Sequence, residues 1–183
     1  MTELLDILDE NGQLTGRQKP RDQVHRDGDW HRSAHIWIIN SQKELLIQKR
    51  SANKDSHPNQ WDISSAGHVQ AGDDYLISAL RELEEELGLV AKKESFESLG
   101  IFKDEAITNN GAFINKQFNE VFLIEMDLDI AELKLQEEEV AEVKFIPFTE
   151  LEKIIAKGDE NFVAHQEQYK VLFSILRKKY GTS

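Results

Sequence analysis

Residues 66–89 read AGHVQAGDDYLISALRELEEELGL, from Ala66 to Leu89. Asp73 is a residue type that caps a helix start, and Gly88 stands where a left-handed C-terminal residue belongs. Between them Leu76, Leu80, Leu83 and Leu87 recur at 4, 3, 4 spacing, an apolar stripe along an amphipathic helix. The same segment carries Glu82, Glu84, Glu85 and Glu86, with no Lys or Arg three or four residues beyond any of them. Like charges at that spacing cost about 0.2–0.5 kcal/mol per pair. Such a helix is either a solvated acidic face or a cation site.

At about 100° per residue, Glu82, Glu85 and Glu86 project roughly 125° away from the leucine stripe. They stand at i, i+3 and i+4, so their carboxylates converge on one side, while Glu84 faces elsewhere and reads as surface. Three hard oxygen donors suit Mg²⁺ or Mn²⁺, which keep open positions for water and phosphate oxygens.

The spacing of Gly67, Asp73, Arg81-Glu82-Leu83, Glu85-Glu86 and Gly88-Leu89 resembles the Nudix box of the Nudix hydrolases. The match holds at every fixed position but one, where Asp73 replaces the first glutamate. The resemblance implies a Nudix-type α/β/α sandwich with a mixed β-sheet core and flanking helices, an α+β fold. It also implies metal binding by Glu82, Glu85, Glu86 and the Gly67 carbonyl. Arg81 is implied to hold a glutamate in place, and Asp73 to support the loop and helix start.

The flanks, HRSAHIWIIN, LLIQKRSANK and PNQWDISSAGHVQAGD, look like the isopentenyl diphosphate isomerase branch of that superfamily. Members of that branch carry a catalytic cysteine before the Gly-His pair; here Ala66 precedes Gly67 and His68, and the chain has no cysteine. They also use two carboxylates on a later strand, where this chain has Phe118 and Glu120. The branch implies a second metal position at His25, His31 and His68, with Glu120 beside it; ordinary loop histidines are the plain alternative. Arg32, Arg50 and Lys54 are candidate diphosphate clamps. Glu86 and Glu120 are the candidate general bases. Trp61 reads as core, and Trp30 and Trp37 as core or surface.

The chain has 183 residues, 39% hydrophobic and 31% charged, and a net charge of −12. That length holds one full core, and two independent domains would be tight. The acidic balance argues against nucleic acid as a partner, because nothing replaces the condensed counterions. Without cysteine there are no disulfides, thiolate metal sites or thiol nucleophiles. With no apolar leader or 18-residue apolar stretch, a cytoplasmic protein away from membranes is expected.

Residues 1–28 read as an N-terminal hairpin and helix extension, turning at Asn11-Gly12, and residues 165–180 as a C-terminal helix. The expectation is a single Nudix hydrolase domain over 1–183. It would cleave a diphosphate linkage in a nucleotide or other organic diphosphate, with Mg²⁺ or Mn²⁺. Its partner is the small-molecule substrate, and a homodimer is allowed. The alternatives are isopentenyl diphosphate isomerase-like activity and a non-catalytic nucleotide- or metabolite-binding regulator.

Overall fold

A computed structural model describes residues 3–181, so the first and last two residues of the expected 1–183 domain lie outside the described residues. Strands β1 (Leu4–Leu8) and β2 (Leu14–Pro20) form the N-terminal hairpin, followed by α1 (Arg21–Asp27). Next come β3 (Trp30–Ile39), β4 (Glu44–Arg50), β5 (Trp61–Asp62), β6 (Ser65–His68) and α2 (Tyr75–Leu87). The long strands β7 (Glu97–Thr108) and β8 (Phe113–Glu125) precede β9 (Val140–Pro147), α3 (Phe148–Ala156) and α4 (Gln166–Tyr180).

The sheet is mixed. β3 pairs parallel with β8 over Trp30–Ile39 and Lys116–Glu125, and every other named pairing is antiparallel. Alternation along β3 sends Ala34, Ile36 and Ile38 to one face and Trp37 and Ile39 to the other. The first set packs with Phe122 and Ile124 of β8 beneath Ala79, Leu83 and Leu87 of α2. The second packs with Val121 and Leu123 against Leu151 of α3 and Tyr169, Leu172, Phe173 and Leu176 of α4. Two apolar layers around one sheet give the α/β/α sandwich. The β1–β2–α1 extension adds a small cluster of Leu5, Ile7 and Val24. Trp37 is fully buried. Trp61 flanks the α4-side core with Lys144 Nζ 4.1 Å from its ring centroid, and Trp30 lies beneath Lys103 at 4.4 Å.

Helix α2 departs from the expected stripe. Ala79, Leu83, Glu86 and Leu87 are its buried residues along with Ser78, while Leu80 is half-buried. At 100° per residue the buried face is turned by roughly 60° from the leucines toward the glutamates. The rotation drives Glu86 into the protein.

Candidate active site

The loop between β6 and α2 positions the acidic cluster. Asp74, not Asp73, caps α2, its Oδ1 accepting the Ile77 N–H at 2.7 Å. Starting the helix one residue later leaves Asp73 free to accept Arg81 Nη1 at 2.9 Å. Arg81 Nη2 also donates to Glu82 Oε1 at 3.1 Å and to the His68 carbonyl at 2.9 Å. One guanidinium thus ties the loop, the end of β6 and the first glutamate together. The shorter Asp73 carboxylate still makes its salt bridge.

Glu86 is 4% exposed. Its Oε2 accepts Ser65 Oγ–H at 2.7 Å, and the Ala66 N–H and Gln48 Nε2 at 3.3 Å each. All three bonds fall on one oxygen, so Oε1 is left for another partner. Glu82 lies against Gly67: a Cβ at position 67 would fall inside the Glu82 carboxyl group. Only glycine permits that approach. The Gly67 carbonyl accepts Ser33 Oγ–H at 2.9 Å and keeps a second lone pair. Burial, reinforced by the Glu86 charge, pushes Glu82 up to about 8. Burial also pushes Glu86 up to about 7 against the hydrogen bond from Ser65. Arg81 offsets only part of the desolvation of these two carboxylates. Their free oxygens and the Gly67 carbonyl form a hard-oxygen donor set that fits Mg²⁺ or Mn²⁺. Glu85 stands at the rim, its side chain 54% exposed and 4.0 Å from Arg81 Nε.

A second donor set lies beside it. The ring nitrogens of His25, His31 and His68 lie within 4.8 Å of one another. His31 Nδ1–H donates to the Asp29 carbonyl at 3.0 Å and His25 Nδ1–H to the Ile114 carbonyl at 3.4 Å. Both bonds leave Nε2 with its lone pair. His25 Nε2 is 3.2 Å from His68 Nε2, too close for two bare lone pairs. Burial holds His25 at about 4 and His31 at about 3, and holds His68 well below the usual imidazole value. Neutral, converging imidazoles suit a borderline ion such as Zn²⁺ or Mn²⁺. Among the described residues no carboxylate joins the trio.

The glutamates, His25 and His68 line a cavity of about 550 Å³, with His31 buried behind them. Arg50 and Lys54 line it, each already engaged. Arg50 donates to the Ser56 carbonyl at 2.9 and 3.1 Å and to Asp62 Oδ2 at 3.1 Å. Lys54 pairs with Glu139. Two expected residues are elsewhere. Arg32 points to the α2 face, bound to Asp6 at 2.9 Å and lying 5.6 Å from the Tyr75 ring centroid. Glu120 accepts Ser98 Oγ–H at 2.8 Å and is absent from the cavity wall. The cause is strand parity. Along β8 from Lys116 to Val121 burial alternates, with Gln117, Asn119 and Val121 inward, so Phe118 and Glu120 face the other way. Gln117 lines the cavity, and its Nε2 lies 3.3 Å from His31 Nε2.

Several cavity residues carry no local sequence pattern. Arg21 of α1 bridges Glu3 at 3.7 Å and Asp55 at 3.5 Å. His35, Asp62 and His165 line the wall beyond Ala66. Asp62 and His165 stand 103 residues apart in the chain.

Residues 29–166 match the NUDIX domain family. Nudix hydrolase 3 of Arabidopsis thaliana is 46% identical over 182 residues, spanning 97% of this chain but only 24% of that protein. An uncharacterized Nudix hydrolase of Clostridium acetobutylicum is 37% identical, covering 98% of this chain and 92% of its own length. A Deinococcus radiodurans crystal structure superposes with a TM-score of 0.68 at 24% identity, over 97% of this chain and 99% of that one. That likeness is of fold. With the Nudix-box residues gathered at one cavity, the chain belongs to the Nudix family of hydrolases, which act on pyrophosphate bonds.

Proposed function

We propose that the chain hydrolyses an organic diphosphate using Mg²⁺ or Mn²⁺ held by Glu82, Glu86 and the Gly67 carbonyl, with Glu85 at the rim. The observation that carries this is the pair of buried carboxylates whose unpartnered oxygens face one cavity. When bound, the metal offsets diphosphate charge and acidifies water. The chain's own groups do the rest. Arg81 fixes Glu82, and Ser65, Ala66 and Gln48 fix Glu86, so the donors are set before substrate arrives. Arg50 and Lys54 place positive charge at the wall, where a diphosphate can compete with Glu139 for the Lys54 ammonium. His25 and His68 of the cavity wall, with the buried His31, are a second metal position.

We read residues 1–183 as one catalytic domain acting in the cytoplasm on a small molecule. Among the described residues no helix is long and apolar enough to cross a membrane. Isomerase-like chemistry is disfavoured. Ala66 offers no thiol, and the β8 residues on the cavity side, Gln117 and Asn119, are amides where a carboxylate is needed. The test is a panel of nucleoside, sugar-nucleotide and isoprenyl diphosphates with Mg²⁺ or Mn²⁺, products read by mass spectrometry. Hydrolysis of at least one, abolished by chelator, is expected. Solvent deuterium entering recovered isopentenyl diphosphate would instead support isomerisation.

A further inference from the structure

Beyond the acidic cluster, the cavity wall holds a second set of titratable side chains that metal binding does not use. Asp62 and His165 are almost fully buried and joined at 2.8 Å, His165 Nε2 to Asp62 Oδ1. Arg50 Nη1 sits 3.1 Å from the other carboxylate oxygen, and the Ile63 N–H donates to Oδ1 at 2.8 Å. Burial alone would raise Asp62, yet His165, Arg50 and the Ile63 N–H hold it well below the usual carboxylate range. Asp62 is therefore an acceptor, and His165 must present Nε2–H to it. That fixes a lone pair on Nδ1, which is buried and has no hydrogen-bond partner. Buried polar atoms are almost always satisfied, so an unpartnered nitrogen on a residue of the cavity wall is an exception that calls for a role.

His35 completes the set. Its ring centroid lies 5.2 Å from that of His165. Its Nδ1–H donates to Gln168 Oε1 at 2.9 Å, which leaves a lone pair on Nε2. Strand pairing connects these imidazoles to the acidic cluster by two short routes. His35 is directly opposite Ala66, whose N–H binds Glu86. Asp62 is directly opposite Gln48, whose amide also binds Glu86. His35, Asp62, His165 and Glu86 all line the one cavity. Of the two bases suggested by sequence, Glu86 is given to the metal and Glu120 does not line the cavity.

We propose that His165 is the general base of the hydrolysis and that Asp62 is its positioning residue. This rests on the hydrolase function proposed above. His165 Nδ1 takes a proton from the attacking water as its oxygen bonds to phosphorus. The bridging P–O bond breaks, and its electron pair leaves with the departing monophosphate. The imidazolium then returns the proton to that phosphate or to solvent. His35 Nε2 accepts the second hydrogen of the water and aims it. Asp62 of β5 sets the tautomer and stabilises the imidazolium, and Arg50 of β4 keeps Asp62 ionised. The remaining titratable groups facing His165 are Tyr169 of α4, with ring centroids 5.9 Å apart, and His57, whose titration feels the His165 charge.

The experiment measures kcat and KM from pH 5 to 9 for the wild type, His165→Gln and Asp62→Asn, using a diphosphate the wild type cleaves. The Mg²⁺-induced rise in Tm is recorded for each. A positioned base is worth about 100-fold or more. His165→Gln should lose that much kcat with KM little changed. Asp62→Asn should lower kcat with KM little changed, because the imidazolium loses its anion. Both should keep the Mg²⁺-induced rise in Tm, which shows a folded protein with an intact acidic cluster. Wild-type kcat in His165→Gln would overturn the base assignment alone. A wild type that cleaves nothing in the panel would overturn the hydrolase function, and the base with it.

Discussion

Gly67 and Glu82 touch so closely that the smallest side chain at position 67 would occupy the space of the Glu82 carboxyl group. Gly67→Ala should therefore displace Glu82 while the rest of α2 stays packed. The fold should survive with a loss of about 1–3 kcal/mol, the usual cost of an inserted methyl. Activity should fall about 100-fold, as expected when a catalytic group moves by roughly 1 Å. Thermal melts with and without Mg²⁺, alongside kcat, check this. A wild-type Mg²⁺ response would show that Glu82 is not a ligand.

Glu86 is buried and leans on three donors through one oxygen. Glu86→Gln keeps an acceptor there and removes the buried charge. At pH 8 without metal the variant should melt higher than wild type, because the buried Glu86 charge no longer costs desolvation. With Mg²⁺ the order should reverse. Wild type gains about 2.7 kcal/mol at metal 100-fold above Kd, and the variant gains far less. Equal Mg²⁺ shifts in both would place the metal elsewhere.

The raised carboxyls predict how the metal-free protein responds to pH. Glu82 titrates at about 8 and Glu86 at about 7 when folded, against 4.5 as the ordinary value. The folded state thus holds protons that the unfolded chain has released, so stability falls as pH rises through these values. The buried histidines act oppositely, with folded values below 6.5, and they cost stability only as pH drops below that point. From about pH 7.5 to 8.5 the carboxyls therefore dominate. Chelated protein should lose Tm across that window, and saturating Mg²⁺ should flatten the slope. A Tm rising with pH in chelator would contradict the incompletely compensated carboxylates.

Arg81 joins Asp73, Glu82 and the His68 carbonyl. Arg81→Ala removes charge-assisted hydrogen bonds worth about 1.5–3 kcal/mol each in net terms. Denaturant unfolding should show a loss of about 2 kcal/mol or more, with kcat reduced as Glu82 loosens. Arg81→Lys cannot span three partners and should recover only part of both losses. Full recovery by lysine would mean that charge alone matters.

The acidic helix was readable because its chemistry is local: Glu82 and Glu86 are one turn apart, and helix geometry does the rest. Even there the sequence placed the stripe on Leu80 and the cap on Asp73. The structure prefers Ala79 and Asp74, because sheet packing sets the rotation of α2. Strand β8 was harder. It carries apolar residues on both faces, so nothing local distinguishes Gln117 from Phe118, and a shift of one residue sends Glu120 to the wrong side. Arg32 fails by the same parity on β3. His35, Gln168, Asp62 and His165 had no local signal, since they meet across 133 and 103 residues of chain. Only the assembled sandwich brings them to one wall.

A divalent cation held between the carboxylates of Glu82 and Glu86 is tested by crystals soaked in Mn²⁺ and measured at a wavelength where manganese scatters anomalously. The expected result is an anomalous peak within coordination distance of the free Glu82 and Glu86 oxygens and the Gly67 carbonyl, lost in Glu86→Gln. A peak confined to His25, His31 and His68, with none at the glutamates, would contradict it.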